Sequence, residues 1–277
     1  MKNKINIIFL FFVYFIQLSC GGNFLKDLSK KDSKEALYED ALLLVDKQKY
    51  QDAIDKISLI TDTEYLARSD VKTTLIGAYA GLCGLNFIDF FTAVSATSSL
   101  SLFKMLTAPF SGKTVIPAAC DTAQSLMEAQ GTVGSRSNDQ KLFMAILGMV
   151  KMGVNFRDRL DVDDGVGDGT IDAGIQVCTN GTSTGQISDD QLKKVVVGFG
   201  LLLENFAGLT ASLSGTSSAT ITALEAQCTS LGISCNITSE SSVTAGTLTA
   251  FRYLMDSSSY GFRSCDISTP LLCCLTP

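Results

Sequence analysis

Two long segments of this chain begin with the same helix-start signal and continue with many apolar residues. Ser137 is followed three residues later by Gln140, and Ser188 by Gln191, which is the spacing of a capping box. The second segment is apolar almost continuously from Val195 to Leu203. A helix that is apolar all round must be covered by other elements. These segments therefore predict two core helices surrounded by further helices.

Residues 36–60 predict an antiparallel pair of helices. Leu37, Ala41 and Leu44 recur at helical spacing, and after a polar turn a Tyr-x-x-Ala-Ile sequence begins at Tyr50. This pattern resembles a tetratricopeptide helix pair, and the segment from Asp70 to Phe91 resembles the first helix of a second pair. A generic helical hairpin would show the same pattern. Either unit has an apolar face that it can bury only against neighbours.

The fold class predicted from these patterns is all-α. The whole chain has only four prolines, so helix-breaking residues are rare. We expect a single helical domain over residues 35–277, with tetratricopeptide-like hairpins over residues 35–91. The hairpins would stack in a short array or form an irregular helical bundle, and disulfides would staple the domain.

Residues 1–19 have the composition of a bacterial export signal. Lys2 and Lys4 precede an apolar run that ends at Ile16, which is shorter than the roughly 20 residues a membrane-spanning helix needs. The run leads into Leu-Ser-Cys-Gly, with the cysteine at Cys20, and this resembles the lipobox of bacterial lipoproteins. An ordinary secretory signal, in which Cys20 has no special role, is the alternative.

The lipobox resemblance implies a membrane anchor. It implies that the signal is removed just before Cys20 and that this cysteine carries lipid. Because Gly21 and not aspartate follows it, the resemblance also implies transport to the outer membrane, where the domain would face the periplasm or the cell surface. Three acyl chains make such anchoring effectively permanent. The polar and charged residues 20–34 would form a short tether to the folded domain.

The charge of the mature chain argues against several partners. Removing Lys2 and Lys4 with the signal leaves 20 basic and 28 acidic side chains, a net charge of −8. Nucleic acid and anionic lipid headgroups attract basic proteins, so neither is expected as an electrostatic partner. The expected contacts are the membrane, through the lipid, and another envelope protein.

Eight cysteines remain after the lipid-bearing one. An even number in an exported chain predicts up to four disulfides. Zinc is disfavoured, because the chain has no histidine and no Cys-x-x-Cys pair. Cys228 and Cys235 form the most local candidate pair, and Cys265 could reach either of two adjacent cysteines. The eight candidates are Cys83, Cys120, Cys178, Cys228, Cys235, Cys265, Cys273 and Cys274.

Five aspartates lie within twelve residues at the start of an acidic loop, residues 161–187. The part from Asp168 to Asp172 resembles the second half of an EF-hand calcium loop, which implies that Gly169 makes the turn and Ile171 packs inward. We expect a structural calcium ion, Ca²⁺, because five carboxylates so close together repel one another unless a cation relieves them, and a hard cation takes about six to eight oxygen ligands. A solvated acidic turn is the alternative. The candidate ligands are Asp161, Asp163, Asp164, Asp168 and Asp172.

The sequence argues against most enzyme classes. Without histidine there is no Ser-His or Cys-His nucleophile. The Ser-x-x-Lys spacing of Ser101 and Lys104 lacks the motifs that accompany serine–lysine acyl enzymes. We therefore expect a non-catalytic binding or scaffolding lipoprotein of the envelope. The alternative is a ligand-binding accessory lipoprotein of a periplasmic transport system, and an enzyme with paired carboxylates is a third hypothesis.

Overall fold

The computed structural model describes residues 32–96, 101–162, 167–172, 174–207, 225–226, 228–258, 261–262 and 274. Within these ranges the chain forms helices and no strand, apart from an isolated bridge between Asn180 and Ile187. The all-α prediction is therefore confirmed, and a disulfide-linked helical bundle describes the arrangement.

The first hairpin consists of α1 (Lys34–Asp46) and α2 (Tyr50–Ser58). The predicted polar turn separates them, and Gln48 enters the left-handed region there with φ of 58°. Short α3 (Thr63–Leu66) and then α4 (Ser69–Cys83) follow and close a small apolar cluster over the hairpin. Its fully or nearly fully buried members are Leu37, Tyr38, Ala41, Ala53, Ile54, Ile57, Ile60, Tyr65, Val71 and Ala78.

The single helix expected from Asp70 to Phe91 is two helices, and that expectation was wrong. Helix α4 ends where Gly84 adopts φ of 125°, a conformation that favours glycine. The side chain of Asn86 then accepts hydrogen bonds from the backbone N–H groups of Ile88 and Asp89, at 3.1 and 3.3 Å, and starts α5 (Phe87–Ala96). The two helices meet at a bend of 45°.

The main core surrounds two long helices, as the sequence predicted. They are α8 (Asn138–Leu160) and α9 (Asp189–Ala207), which follow α6 (Leu102–Thr107) and α7 (Pro117–Glu128). The capping box of Ser137 and Gln140 is present. Gly148 and Gly198 let the helices approach closely, since a Cβ on Gly198 would lie 2.7 Å from the Gly148 carbonyl oxygen. Helix α10 (Ala245–Asp256) packs against α9.

A buried lysine ties three of these helices together. Lys151 on α8 is only 2% exposed. Its ammonium lies 2.7 Å from the Asp121 carboxylate on α7 and donates to the Gln124 amide oxygen at 2.7 Å. Asp121 also pairs with Lys194 on α9. Removing one partner of such a pair leaves a buried charge without compensation, so this cluster constrains how α7, α8 and α9 pack.

Three disulfides join cysteines in the described part of the chain. Cys83–Cys120 links α4 to α7, and Cys178–Cys274 ties the loop before α9 to the C-terminal segment. The local pair Cys228–Cys235 is present, as expected. Because Cys274 pairs with Cys178, it is not the partner of Cys265. Cys265 and Cys273 lie outside the described residues.

No single helix in the described part of the chain is both long and apolar enough to cross a bilayer. The bent pair of α4 and α5 meets the length and composition test when its two helices are taken together.

Candidate functional site

The first aspartate of the acidic loop holds the loop's backbone. Asp161, at the end of α8, has no exposed surface. One of its carboxylate oxygens accepts the backbone N–H of Asp168 at 3.0 Å, and the other accepts that of Gly169 at 3.1 Å. The Arg157 guanidinium donates to the Asp161 backbone carbonyl at 2.5 Å. The carboxylate therefore folds the loop back onto the end of the helix.

The carboxyl groups of Asp161 and Asp168 have pKa values shifted in opposite directions. Burial raises the pKa of the Asp161 carboxyl above its ordinary value, although the two backbone N–H donors and Arg157 act against the rise. Asp168 is exposed, and its carboxylate accepts the Thr170 hydroxyl at 2.5 Å and the Thr170 backbone N–H at 2.7 Å. These hydrogen bonds lower the pKa of Asp168.

The second half of the loop matches several details of the sequence interpretation. Gly169 takes φ of 87°, so the turn is at the expected residue, and Ile171 packs against the main core. Asp172 accepts the backbone N–H of Val162 at 3.0 Å with one carboxylate oxygen. Its other oxygen is buried without a hydrogen-bond partner among the described residues.

The expected calcium ligands are only partly brought together. Asp163 and Asp164 lie outside the described residues. Among the residues that are described, one group of three possible ligand side chains has its ligand atoms within 4.8 Å of one another. That group is Cys178, Asp256 and Cys274, and its two cysteines are joined in a disulfide. The calcium site stays a prediction.

The rest of the loop is held by an arginine that sequence reasoning missed. Arg252 on α10 is 7% exposed, and its guanidinium donates to the backbone carbonyls of Val177 and Ile187 at 2.7 and 3.0 Å. It also pairs with Asp189 at 2.8 Å. Because these contacts join residues 63 or more positions apart, no local sequence signal could have identified them.

A cleft of about 540 Å³ opens where the first hairpin meets α5. Tyr50 lies between this cleft and a neighbouring groove of about 350 Å³. Burial, and then the negative charge of Asp89, raise the pKa of the Tyr50 phenol. Lys113 closes one side by pairing with Asp89 at 3.0 Å. The cleft therefore contains one ion pair, between Lys113 and Asp89, and Lys49 and Asp52 also line it.

Helix α5 exposes an apolar surface beside these clefts. Phe90 fixes the helix to the core, since it is 1% exposed and its ring packs against that of Phe110. On the other side, Phe87, Ile88 and Phe91 are 44%, 79% and 46% exposed. We call these three residues the α5 surface. Large apolar side chains grouped on one exposed helix face are typical of interaction sites.

The remaining groups named from the sequence are the Ser101–Lys104 pair and Cys20. The Ser101 hydroxyl donates to the Gly261 carbonyl and forms no hydrogen bond with Lys104. Cys20, the expected lipidation site, lies outside the described residues.

Compared with models of protein families, with curated protein sequences and with solved structures, the chain gives no match.

Proposed function

We propose that this protein is a lipid-anchored helical binding protein of the bacterial envelope, which contacts another envelope protein through the α5 surface. The observation that carries the proposal is the exposure of Phe87, Ile88 and Phe91 on one short helix. Fully burying an exposed side chain of this size contributes about 1.5–3 kcal/mol, and Phe87 and Phe91, which are already about half covered, would contribute about half of that each. A partner that covers all three would therefore gain a substantial apolar contact.

The clefts beside α5 support a protein partner over a flat lipid surface. Side chains of Val45, Leu85 and Phe143 line the groove on one side of Tyr50, so a protruding apolar side chain could insert there. Interfaces between proteins are dominated by a few anchors of this kind in matching pockets. The net charge of −8 of the mature chain would oppose binding to anionic lipid.

The anchor is proposed from the signal and lipobox sequence, with Cys20 as its site. Replacing Cys20 with alanine should move the protein from the membrane fraction to the soluble fraction. Mass spectrometry of the wild-type protein should find the mature N-terminus at a lipid-bearing Cys20. An unmodified cysteine, or an intact signal, would contradict the anchoring proposal and leave the α5 proposal standing.

The partner is tested with a matched pair of variants. The native lipoprotein would be purified from detergent-solubilised membranes, and co-purifying envelope proteins would be quantified by mass spectrometry. The double variant Ile88→Ser and Phe91→Ser should lose a specific partner, whereas Leu59→Ser should retain it. Leu59 is a suitable control because it is also an exposed apolar residue, 61% exposed, and lies at the far end of α2. Equal recovery with both variants would overturn the proposal.

A further inference from the structure

The disulfide between Cys178 and Cys274 has a buried carboxylate beside it. Asp256, on α10, is 5% exposed, and one of its oxygens accepts the backbone N–H of Cys274 at 2.9 Å. A carboxylate oxygen of Asp256 and the two sulfurs all lie within 4.8 Å of one another. Cysteine sulfur and carboxylate oxygen are both ligands that zinc takes in proteins. The three side chains are therefore close enough to hold one metal ion once the sulfurs are thiolates.

This disulfide is the most accessible of the three in the described part of the chain. Cys178 and Cys274 are partly exposed, whereas the cysteines of the other two disulfides are at most 4% exposed. Cys274 also has φ of 63°, a left-handed conformation that is unfavourable for residues other than glycine. Exposed disulfides are the ones that reductants open most readily. We therefore expect Cys178–Cys274 to be reduced before the other two.

Helix α10 holds both cysteines in place by contacts that do not involve their sulfurs. The Arg252 guanidinium donates to the backbone carbonyls of the two residues that flank Cys178, at 2.7 and 3.2 Å. One turn further along the same helix, Asp256 holds the backbone of Cys274. These hydrogen bonds do not depend on the disulfide, so both thiols stay beside Asp256 when it is reduced.

We infer that the reduced protein binds one zinc ion, Zn²⁺, through the sulfurs of Cys178 and Cys274 and a carboxylate oxygen of Asp256. In the reduction, a dithiol reductant gives two electrons and two protons to the disulfide and is itself oxidised to a disulfide. Zinc then displaces the two thiol protons and bonds to both thiolates, with water in the fourth position. The metal replaces the disulfide as the link between the loop before α9 and the C-terminal segment.

The sequence could not indicate this site. Asp256 precedes Cys274 by 18 positions, and the two cysteines are 96 positions apart. The short ligand spacings that mark zinc sites in a sequence are therefore missing. The site goes beyond the proposed protein-binding function and does not depend on it.

The inference is tested by measuring zinc on the full-length lipoprotein in detergent, before and after reduction. A water-soluble phosphine serves as the reductant, because it has no thiol that would compete for zinc, and alkylation with mass spectrometry identifies the thiols it releases. Bound zinc is then counted by atomic emission after dialysis against chelator-buffered zinc. Reduced protein should hold one more zinc ion than oxidised protein. Reduction that spares Cys178–Cys274, or no zinc gained on reduction, would overturn the inference.

Variants assign the ligands. Cys178→Ser with Cys274→Ser should abolish the zinc gained on reduction, whereas the matched control, Cys228→Ser with Cys235→Ser, should gain it like the wild type. Asp256→Asn keeps an acceptor for the Cys274 N–H but lacks the charged ligand. It should weaken zinc binding about tenfold or more, since losing even an outer-shell partner has that effect, and circular dichroism checks its folding. Equal zinc gain in the two double variants, or wild-type affinity in Asp256→Asn, would overturn the inference.

Discussion

Replacing Asp161 with alanine should loosen the acidic loop and destabilise the whole domain. The change removes the acceptor of two backbone N–H groups, those of Asp168 and Gly169, at a position with no exposed surface. Hydrogen bonds to charged groups contribute about 1.5–3 kcal/mol each. Relief of the desolvation that raises the pKa of Asp161 offsets part of this. We therefore expect a loss of about 2–4 kcal/mol in the free energy of unfolding.

Thermal unfolding followed by circular dichroism measures this loss. For a domain of this size, 1 kcal/mol corresponds to about 2–4 °C in Tm, so the expected decrease is about 5–15 °C. Asp168→Ala is the matched control, because it removes a carboxylate of the same loop that is exposed and, among the described residues, accepts hydrogen bonds from Thr170. Without calcium its effect should be clearly smaller. Equal effects of the two substitutions would refute the role assigned to Asp161.

The destabilisation caused by Asp161→Ala should depend on pH. The pKa of Asp161 is raised in the folded protein, so its contribution to stability is fully present below the ordinary value of 3.8 and is lost as pH rises through the raised pKa. The destabilisation by Asp161→Ala should therefore be larger near about pH 4 than at about pH 7. A difference that grows with pH would contradict the raised pKa.

Three further predictions concern calcium, the disulfides and the buried lysine. Calcium added to chelator-treated protein should raise Tm, because at a hundredfold excess over Kd it adds about 2.7 kcal/mol to the free energy of unfolding. Asp168→Ala should abolish this rise. Identical melting curves with and without calcium would show that the loop is only solvated. Replacing both cysteines of Cys178–Cys274 by serine should cost about 2 kcal/mol more than the same change at Cys228–Cys235, because the bridged separations are 96 and 7 residues, and equal costs in denaturant titrations would contradict this. Asp121→Ala should lower the free energy of unfolding by about 3–5 kcal/mol, because it leaves Lys151 charged and buried, whereas Lys151→Met should lower it less. The reverse order in urea unfolding would show that this ion pair does not hold the helices together.

Sequence periodicity was sufficient for the fold class because the helices carry local signals. The capping box at Ser137, the hairpin turn before Tyr50 and the apolar run of α9 are each set by neighbouring residues, and each appears where the pattern indicated. The break between α4 and α5 was missed although Gly84 marks it, since glycine inside an apolar helical pattern is often tolerated.

The candidate sites depend on contacts between distant residues, which periodicity does not contain. In the sequence, Lys151 is simply a charged residue within an apolar helix. Its role appears only in the fold, where it pairs with Asp121, 30 positions earlier. Similarly, the guanidinium of Arg252 contacts residues 63 or more positions earlier, and the pairing of Cys178 with Cys274 is one of many that eight cysteines allow. The α5 surface could not be read from sequence, because an apolar helix is more often buried than exposed.

The most direct test of the central claim is photo-crosslinking in living cells from position 88 of α5. A photoreactive amino acid would replace Ile88 in the lipoprotein, and in a matched strain it would replace Leu59, another strongly exposed aliphatic residue. We expect a discrete adduct with one envelope protein from position 88 and no such adduct from position 59. No adduct from position 88, or the same adducts from both positions, would contradict the claim that α5 is the partner-binding surface.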